Sequence, residues 1–201
     1  MRAVIIGNGD INDYDYIRSK IRDGDFIICA DGGLRHLENL KIKADLAIGD
    51  FDSSKVRDDI ECIIYPADKD FTDGEIALDY AVEKGFDDIV MIAMTSPRLD
   101  HTFTNVMLTV RDGNICLIDE KNEIRSVTDK LVLEGKKGKT MSIIPVFGNL
   151  SGVSLKGFRY ELSNDILFFG NSRGNSNVIT EDKCEITVKD GIGIVIINDG
   201  E

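Results

Sequence analysis

The first half of the chain alternates short apolar runs with segments whose apolar residues recur at helical spacing. The runs have the length of strands and lie at residues 3–6, 26–29, 46–48, 61–65, 89–93 and 115–118. The helical segments between them lie at residues 14–21, 34–40, 75–84 and 103–110. This alternation predicts an α/β domain with a mostly parallel sheet and helices on both faces. Ligands of such sheets bind in the loops beyond the carboxyl ends of the strands.

After about residue 120 the pattern changes to short β-rich runs separated by Gly, Asn and Asp turns, without a good helical segment. The runs are EIRSV, KLVLE, TMSIIPV, GVSLKG, DILFFG, NVIT, CEITV and GIGIVII. Short strands at this spacing favour a small antiparallel sandwich or barrel. We therefore expect two domains, an α/β domain at residues 1–121 and an all-β sandwich domain at residues 122–201.

The chain is acidic, with 36 Asp and Glu side chains against 24 Lys and Arg and a formal net charge of -12. This charge repels nucleic acid and anionic membranes at long range, so neither is an expected partner. It also repels ATP, so a phosphate substrate would need a bridging cation or a local basic group. Solubility alone is a sufficient alternative explanation of the acidity.

The four cysteines are scattered and form no CxxC pair, which argues against a disulfide framework or a zinc site. Cys29, Cys62 and Cys116 lie in apolar runs, where a thiol behaves as a small hydrophobic group. The apolar stretch at the start is too short for a signal peptide, and no segment has the length and hydrophobicity of a membrane span. We expect a cytoplasmic protein.

Two acidic loops follow predicted strands. Asp50 and Asp52 follow the third strand, at a spacing that lets both carboxylates face one hard cation such as Mg²⁺. The fourth strand is followed by DKDFTDGE, which contributes Asp68, Asp70 and Asp73. A parallel sheet brings such loops together, and crowded carboxylates are costly without a cation. The repetition therefore favours a shared metal site.

Each acidic residue also has an ordinary local explanation. Thr72 and Glu75 have the spacing of a capping box, which needs no function. Asp73 would lie in the first turn of a helix, where the helix dipole favours a negative charge. Asp50 and Asp52 could belong to a solvated turn. The metal site rests on the two loops taken together.

Two glycine-bearing turns follow the first two strands. Gly7-Asn8-Gly9 begins like a dinucleotide fingerprint, but Asn12 occupies the third glycine position, so the GxGxxG pattern fails. We interpret it as a strand-ending turn and leave open a contact with phosphate or base. In DGG at 31–33, Asp31 could cap the next helix. Equally, the two glycines could let a ligand approach the backbone beside that carboxylate.

Two further segments carry polar side chains in turn-like settings. Arg98 follows the fifth strand at a helix start, where its planar fork and the free amides both suit a phosphate. The alternative is a surface arginine with Asp100 as the helix cap. His101 is expected to have an orienting or structural role rather than that of a general base. The turn at 170–177, with Arg173, reads as a connection between strands.

Taken in order, these segments resemble the thiamine pyrophosphokinase family. DGG at 31–33, GDFDS at 49–53, DKDFTDGE at 68–75 and RLDHTFTN at 98–105 match its successive motifs. The glycine-rich SN turn at 174–177 matches its C-terminal signature. The similarity spans nearly the whole chain, and the five motifs occur in the right order and at the right spacing.

The resemblance implies transfer of the pyrophosphoryl group of ATP to the hydroxyethyl oxygen of thiamine, which gives thiamine diphosphate and AMP. It also implies an α/β domain that binds ATP and a β-sandwich domain that binds thiamine. The family is homodimeric, with thiamine bound between subunits, and Mg²⁺ is the expected cofactor.

The motifs place the functional residues as follows. The metal ligands would be Asp50, Asp52 and Asp73. The catalytic residues would be Asp70, Arg98 and Asp100. The ATP-binding residues would be Asn8, Asp31, Gly32, Gly33, Arg98 and His101. The thiamine-binding residues would be Ser176, Asn177 and Tyr160. Either Asp70 or Asp100 would accept the proton of the thiamine hydroxyl.

Two positions depart from the family pattern. Ser96-Pro97 replaces a Gly-Gly pair before Arg98, and proline removes an amide donor and fixes φ. Val178 replaces the glutamate that usually follows the SN turn.

Two other functions remain open from the residues. One is a metal-dependent nucleotide phosphohydrolase, and the other is a non-catalytic regulator that binds thiamine or nucleotide without forming AMP.

Overall fold

The computed structural model describes residues 1–51 and 59–198 and divides into two compact units, Met1–Glu120 and Lys121–Glu201. The predicted metal ligand Asp52 lies outside the described residues. No helix in these two ranges is long and apolar enough to cross a membrane.

The first unit is built on six strands that pair in parallel. They are β1 (Arg2–Ile6), β2 (Phe26–Ala30), β3 (Leu46–Gly49), β4 (Glu61–Ile64), β5 (Asp88–Ile92) and β6 (Asn114–Ile118). Their order is β4-β3-β2-β1-β5-β6, and each neighbouring pair is parallel. Each predicted strand of this half is present, with ends that differ from the prediction by one residue.

The central strands are buried on both faces because helices cover the sheet on both sides in this class of fold. Four of the five residues of β1, β2 and β5 are buried, as are all four of β3. Fully buried side chains such as Ile5, Ile28 and Met91 each stabilise the unit by about 1.5–3 kcal/mol relative to exposure. Strand β4 at the edge is largely exposed.

The helices of the first unit follow the predicted segments with three corrections. They are α1 (Tyr14–Arg18), α2 (Leu37–Leu40), α3 (Asp73–Glu83) and α4 (Leu99–Leu108). The segment predicted as one helix at 34–40 is a 3₁₀ helix, Asp31–His36, that leads into the single turn of α2. Two glycines in that stretch disfavour the α-helix. Helix α1 is shorter than predicted, because its C-cap is already Ser19. Helix α4 begins at Leu99 and not at residue 103.

The two predicted helix caps have opposite outcomes. The Thr72 side chain caps α3 and accepts a hydrogen bond from the Glu75 amide at 3.2 Å, so this part of the capping-box prediction is confirmed. The capping role considered for Asp31 is wrong. The 3₁₀ helix begins at Asp31 itself, and its N-cap, Ala30, makes no side-chain hydrogen bond. The carboxylate of Asp31 therefore needs another explanation.

The second unit contains strands and no helix within residues 121–198. The strands are β7 (Asn122–Val127), β8 (Lys130–Glu134), β9 (Thr140–Lys156), β10 (Leu162–Leu167), β11 (Asn177–Val178), β12 (Lys183–Thr187) and β13 (Asp190–Asn198). Their pairs are antiparallel, in the order β7-β13-β9-β12-β8, with β10 and β11 also paired to β9.

The long strand β9 corrects the prediction of two strands, 140–146 and 152–157. It runs through 17 residues without ending. Phe147 and Gly148 have φ values of 61° and 139°, which bend the chain where a turn was expected. The first part of β9 pairs with β13, and the second part pairs with β10 and β12. Buried residues from both parts belong to one apolar core, as in a sandwich.

The four cysteines, all within the described residues, form no disulfide. Cys29, Cys116 and Cys184 are buried in strands, and Cys62 is partly buried. They act as small apolar side chains of the two cores.

Candidate active site

A cavity of about 680 Å³ opens in the first unit where its parallel strands end at their carboxyl termini. Loops after β1, β2, β3, β4 and β5 and the first turns of α3 and α4 form its wall. Its lining residues are Gly7, Asn8, Gly9, Ala30, Asp31, Asp50, Ala67, Lys69, Phe71, Thr72, Asp73, Gly74, Ala93, Met94, Thr95, Ser96, Arg98, Asp100, His101, Thr104 and Asn105. This is the location expected for the ligand site of such a sheet.

The cavity brings together most of the residues predicted for the nucleotide and metal. Those that line it are Asn8, Asp31, Asp50, Asp73, Arg98, Asp100 and His101. Gly32 and Gly33 are buried beside it and do not form its wall. Asp70 is exposed and is not a lining residue.

The two acidic loops meet around a lysine. The ammonium nitrogen of Lys69 lies 3.6 Å from Oδ2 of Asp50 and 3.1 Å from Oδ1 of Asp73. The three side chains are only 12%, 23% and 21% exposed, so these charges are partly shielded from water. Motif reasoning gave Lys69 no role, although it lies within DKDFTDGE.

The ionisation of this cluster reflects its burial and its crowding. Burial raises the pKa of Asp73, and the nearby Asp31 and Asp50 carboxylates raise it further, while Lys69 opposes them. Burial alone would lower the pKa of Lys69, but the Asp73 and Asp50 carboxylates outweigh it and raise that pKa. The cluster thus holds several negative groups close to one positive group.

The donor atoms of the cluster fit an oxygen-bound divalent cation. Among residues 1–51 and 59–198, no three His, Cys, Asp or Glu side chains form a group that would enclose a metal by themselves. Mg²⁺, however, is commonly held by one or two carboxylates together with waters and substrate phosphates. Asp50 and Asp73 supply such a pair. Oδ1 of Asp31 and Oδ1 of Asp73 are buried and accept no well-formed hydrogen bond from the described residues.

Arg98 and Asp100 form an exposed ion pair at the start of α4. Nη2 of Arg98 lies 2.6 Å from Oδ2 of Asp100. The hydrogen bond from Arg98 holds the pKa of Asp100 below its ordinary value, and that of Arg98 is raised. Arg98 is the N-cap residue of α4, and its side chain makes no cap hydrogen bond. The guanidinium is thus oriented by Asp100 at the cavity wall.

At Ser96-Pro97, where the chain departs from the family pattern, hydrogen bonds to Thr102 and Arg98 fix the loop. The Ser96 amide donates to the Thr102 hydroxyl oxygen at 2.9 Å, and that hydroxyl donates back to the Ser96 carbonyl at 2.9 Å. The Arg98 amide donates to the Ser96 hydroxyl oxygen at 3.2 Å. Pro97 lacks an amide, so these bonds fix the loop on either side of it.

The Gly7-Asn8-Gly9 turn lies in close backbone contact with the loop after β5. The Gly9 amide donates to the Ala93 carbonyl at 2.7 Å. A Cβ on Gly9 would lie 2.3 Å from the Thr95 carbonyl oxygen, so a larger residue cannot occupy this position without a shift of backbone. The glycine is therefore required here by the close approach of two chain segments at the cavity.

Arg35 and His36, which the motifs did not indicate, contact the carbonyl oxygens of this turn. Nη2 of Arg35 donates to the carbonyl oxygens of Asn8 at 2.8 Å and Gly9 at 3.1 Å. Nε2 of His36, a buried side chain, lies 2.9 Å from the Gly9 carbonyl oxygen. The only signal in the sequence is that a basic pair follows DGG by one residue.

Three non-glycine residues at strand ends near the cavity have a left-handed backbone conformation. Asp31 after β2, Phe51 near the end of β3 and Ala93 after β5 have φ values of 44°, 55° and 55°. Non-glycine residues rarely adopt this left-handed region, and such strain is typical of functional sites. The strain agrees with a ligand site at this edge of the sheet.

In the second unit the three residues predicted for thiamine lie together. Asn177 is buried, and both ends of its side-chain amide form hydrogen bonds. Oδ1 accepts from the Tyr160 amide at 3.0 Å and from the Val178 amide at 2.9 Å, and Nδ2 donates to the Tyr160 carbonyl at 2.8 Å. Ser176 and Tyr160 are exposed beside it. Asn177 therefore fixes the position of Tyr160 relative to the SN turn.

Both halves of the chain match described families. Residues 17–118 match the model "Thiamin pyrophosphokinase, catalytic domain", and residues 124–193 match "Thiamin pyrophosphokinase, vitamin B1 binding domain". A thiamine pyrophosphokinase of Bacillus subtilis is 31% identical over 163 residues, which cover 75% of this chain and 76% of the relative.

Solved structures of this family share the fold. A thiamine pyrophosphokinase from Bacillus subtilis has a TM-score of 0.88 at 26% identity, covering 98% of this chain and 99% of that chain. One from Geobacillus thermodenitrificans has a TM-score of 0.85 at 27% identity, covering 98% and 97%. The yeast thiamin pyrophosphokinase, at 15% identity, has a TM-score of 0.73 and covers 98% and 86%. The chain described here belongs to the thiamine pyrophosphokinase family.

Proposed function

We propose that this chain is a thiamine pyrophosphokinase, which transfers the pyrophosphoryl group of ATP to the hydroxyethyl oxygen of thiamine and releases AMP. The observation that carries the proposal is the match of both halves to the catalytic and vitamin B1 binding domains of the family, in that order. The cavity of the first unit supports it, because acidic and basic groups that suit a metal-bound phosphate converge there.

Mg²⁺ is the cofactor that we propose, with Asp50 and Asp73 as ligands and Asp52, outside the described residues, as the third. The supporting observation is the pair of partly buried carboxylates whose loops meet at Lys69. When bound, the cation neutralises phosphate charge that a chain of net charge -12 would otherwise repel.

The residues of the chain would act mainly by positioning the reactants. Arg98, already oriented by Asp100, would present donors to phosphate oxygens. The first turn of α4, whose Asp100 and His101 line the cavity, would add free backbone amides. The turn at Asn8, held by Arg35, lines the same cavity. Such positioning and electrostatic stabilisation account for most of the catalysis in phosphoryl transfer.

For the thiamine hydroxyl proton we propose Asp100 as the acceptor. Asp100 lines the cavity, whereas Asp70 does not. Arg98 donates to both carboxylate oxygens of Asp100, Nε to Oδ1 at 3.3 Å and Nη2 to Oδ2 at 2.6 Å, and keeps the carboxylate ionised. Each oxygen has a second lone pair, which can accept a proton late in the transfer. Asp70 is the alternative that the motif match leaves open.

For thiamine we propose the region of Ser176, Asn177 and Tyr160, in a cytoplasmic homodimer in which the vitamin lies between subunits. The exposed Ser176 hydroxyl and Tyr160 ring would contact the ligand, and Asn177 would hold them in place. The homodimer is checked by the molar mass of the purified protein in light scattering.

The proposed activity is tested by incubating the purified chain with ATP, Mg²⁺ and thiamine and measuring products by chromatography. We expect thiamine diphosphate and AMP in equal amounts, with neither formed when thiamine is omitted. Release of phosphate from ATP without thiamine would indicate a phosphohydrolase instead. Binding of thiamine without AMP formation would indicate a regulator.

A further inference from the structure

The position of Lys69 is the feature of the cavity that neither the family match nor the motifs explain. Its ammonium group lies between the carboxylates of Asp50 and Asp73, at 3.6 Å and 3.1 Å. The same group is 3.2 Å from the Pro66 carbonyl oxygen, which accepts a hydrogen bond from it. Lys69 therefore occupies the place between the two carboxylates that we assign to the metal.

The surroundings require a positive charge between the two carboxylates, and Lys69 supplies it when no metal is bound. Asp50 and Asp73 are partly shielded from water, and Asp31 lies near enough to Asp73 to act on its charge. Carboxylates held together in this way repel one another, and the repulsion is stronger where water is partly excluded. Within the described part of the chain, Lys69 is the basic residue paired with both acids.

We propose that Lys69 is a resident counter-cation of the Asp50–Asp73 pair, and that a divalent ion binds the pair by displacing its ammonium group. The proposal rests on the metal site of the proposed function. A lysine suits this role because its ammonium is a compact charge on a flexible four-carbon chain, which can leave without moving the backbone.

The displaced ammonium group remains beside the ligands. Lys69 lines the same cavity as Arg98 and Asn8, so its side chain reaches the space that we assign to the phosphates. A divalent ion and the nucleotide would then exchange one interaction of Lys69, with carboxylates, for another, with phosphate oxygens. Binding of the ion alone, by contrast, must break the ion pairs of Lys69 without that compensation.

The competing account is that Lys69 is only a phosphate ligand, and that its ion pairs have no effect on the metal. The two accounts differ in the affinity for a metal ion when no nucleotide is present. Displacement predicts that removal of the ammonium group tightens metal binding. A phosphate ligand predicts no change in that measurement.

The test is a titration of the purified protein with Mn²⁺, without ATP or thiamine, in which free Mn²⁺ is followed by electron paramagnetic resonance. We expect Lys69→Met to lower the dissociation constant about tenfold, since an opposing charge a few ångströms from the ion is removed. Lys69→Arg retains the charge and should not tighten binding. Lys84→Met is the matched control, because Lys84 lies at the other end of α3, over the Tyr80 ring.

Thermal unfolding in EDTA supplies the second measurement. In EDTA, Lys69→Met should unfold at a lower temperature than the unsubstituted chain. Added Mn²⁺ should raise the unfolding temperature of Lys69→Met by more than it raises that of the unsubstituted chain. Lys69→Gln serves in place of Lys69→Met if the latter fails to fold, as judged by circular dichroism. An unchanged or weaker Mn²⁺ affinity in folded Lys69→Met or folded Lys69→Gln overturns the proposal.

The two proposals fail separately. If the unsubstituted chain forms thiamine diphosphate but Lys69→Met binds Mn²⁺ no more tightly, displacement is wrong and the activity stands. If Mn²⁺ binding tightens in Lys69→Met but the unsubstituted chain forms no thiamine diphosphate, the proposed activity is wrong and displacement stands.

Discussion

The phenol oxygen of Tyr14 lies 2.8 Å from Nδ1 of His36. Through this contact α1 is connected to the turn that lines the cavity, because the other ring nitrogen of His36 lies 2.9 Å from the Gly9 carbonyl oxygen. A neutral imidazole with its hydrogen on Nε2 donates to the carbonyl and accepts from the phenol. In this tautomer Nε2 cannot also accept a hydrogen bond from Nε of Arg35, which lies 3.2 Å from it.

Acidification should therefore weaken the first unit. Burial, together with the charge of Arg35, lowers the pKa of His36 from its ordinary value of 6.5. The unfolded chain then binds a proton more readily than the folded one, so stability is fully present above about pH 6.5 and is lost as the pH falls through the lower, folded pKa. We expect the free energy of unfolding in urea to fall less steeply between pH 7 and pH 5 in His36→Gln. An equally steep fall in His36→Gln and in the unsubstituted chain would contradict this account.

The same substitution at two adjacent glycines should have two different effects. A Cβ on Gly33 would lie 2.0 Å from the Ile6 carbonyl oxygen, which belongs to the backbone of β1. Gly33→Ala should therefore destabilise the unit by about 3 kcal/mol, at the upper end for overpacked sites. The three atoms nearest to a Cβ on Gly32 all belong to the side chain of Asn8, the closest at 2.4 Å, and that side chain can rotate away.

Gly32→Ala should accordingly fold with less than about 1 kcal/mol of lost stability. Its effect should appear in the KM for ATP, since Asn8 is displaced at the cavity wall. Urea unfolding and steady-state kinetics measure the two quantities. Equal losses of stability in both variants would contradict the difference between a backbone and a side-chain clash.

The proton acceptor is identified by comparing two conservative variants. If Asp100 accepts the thiamine proton, Asp100→Asn should lower kcat by about 10²–10⁴-fold, the usual contribution of a general base, with a smaller change in KM. Asp70→Asn should change kcat much less, because Asp70 is exposed away from the cavity wall. Formation of AMP at saturating ATP and thiamine is the measurement. A larger loss of kcat in Asp70→Asn than in Asp100→Asn would identify Asp70 as the proton acceptor.

In the SN turn, one residue is expected to stabilise the fold and its neighbour to contact thiamine, and the two roles can be tested separately. Asn177→Ala removes three hydrogen bonds and leaves the buried backbone groups around Tyr160 with fewer partners, so the second unit should lose about 1–3 kcal/mol. Ser176 is exposed, and Ser176→Ala should keep the unfolding temperature while it raises the KM for thiamine. A Ser176→Ala variant with unchanged KM for thiamine would remove that residue from the proposed site.

The sequence predicted the order of elements well because period and turn chemistry are local properties. The Thr72 cap and the six parallel strands follow from such local signals. The bend within β9 did not, since Phe147 and Gly148 look like an ordinary turn until their pairing partners are known.

The acidic residues of the site were predicted from the sequence, but Lys69, which contacts two of them, and Arg35, which holds the neighbouring turn, were not. Asp31, Asp50 and Asp73 could be placed together because parallel strands end at the same edge. The role of Arg35 depends on which carbonyl groups lie opposite it after folding, and one sequence does not contain that information. The same holds for Lys69, whose contacts join residues from different loops.

The central place of β13 in the second unit has a consequence for synthesis on the ribosome. β13 pairs with β7 on one side and β9 on the other, although it follows both in the chain. The sheet of this unit therefore cannot close until residue 198 has left the exit tunnel, whereas the six strands of the first unit are complete at Ile118. Until then β7 and the part of β9 that pairs with β13 have open edges, which are prone to wrong pairing. Ribosomal pausing between residues 156 and 190 should therefore favour aggregation of nascent chains.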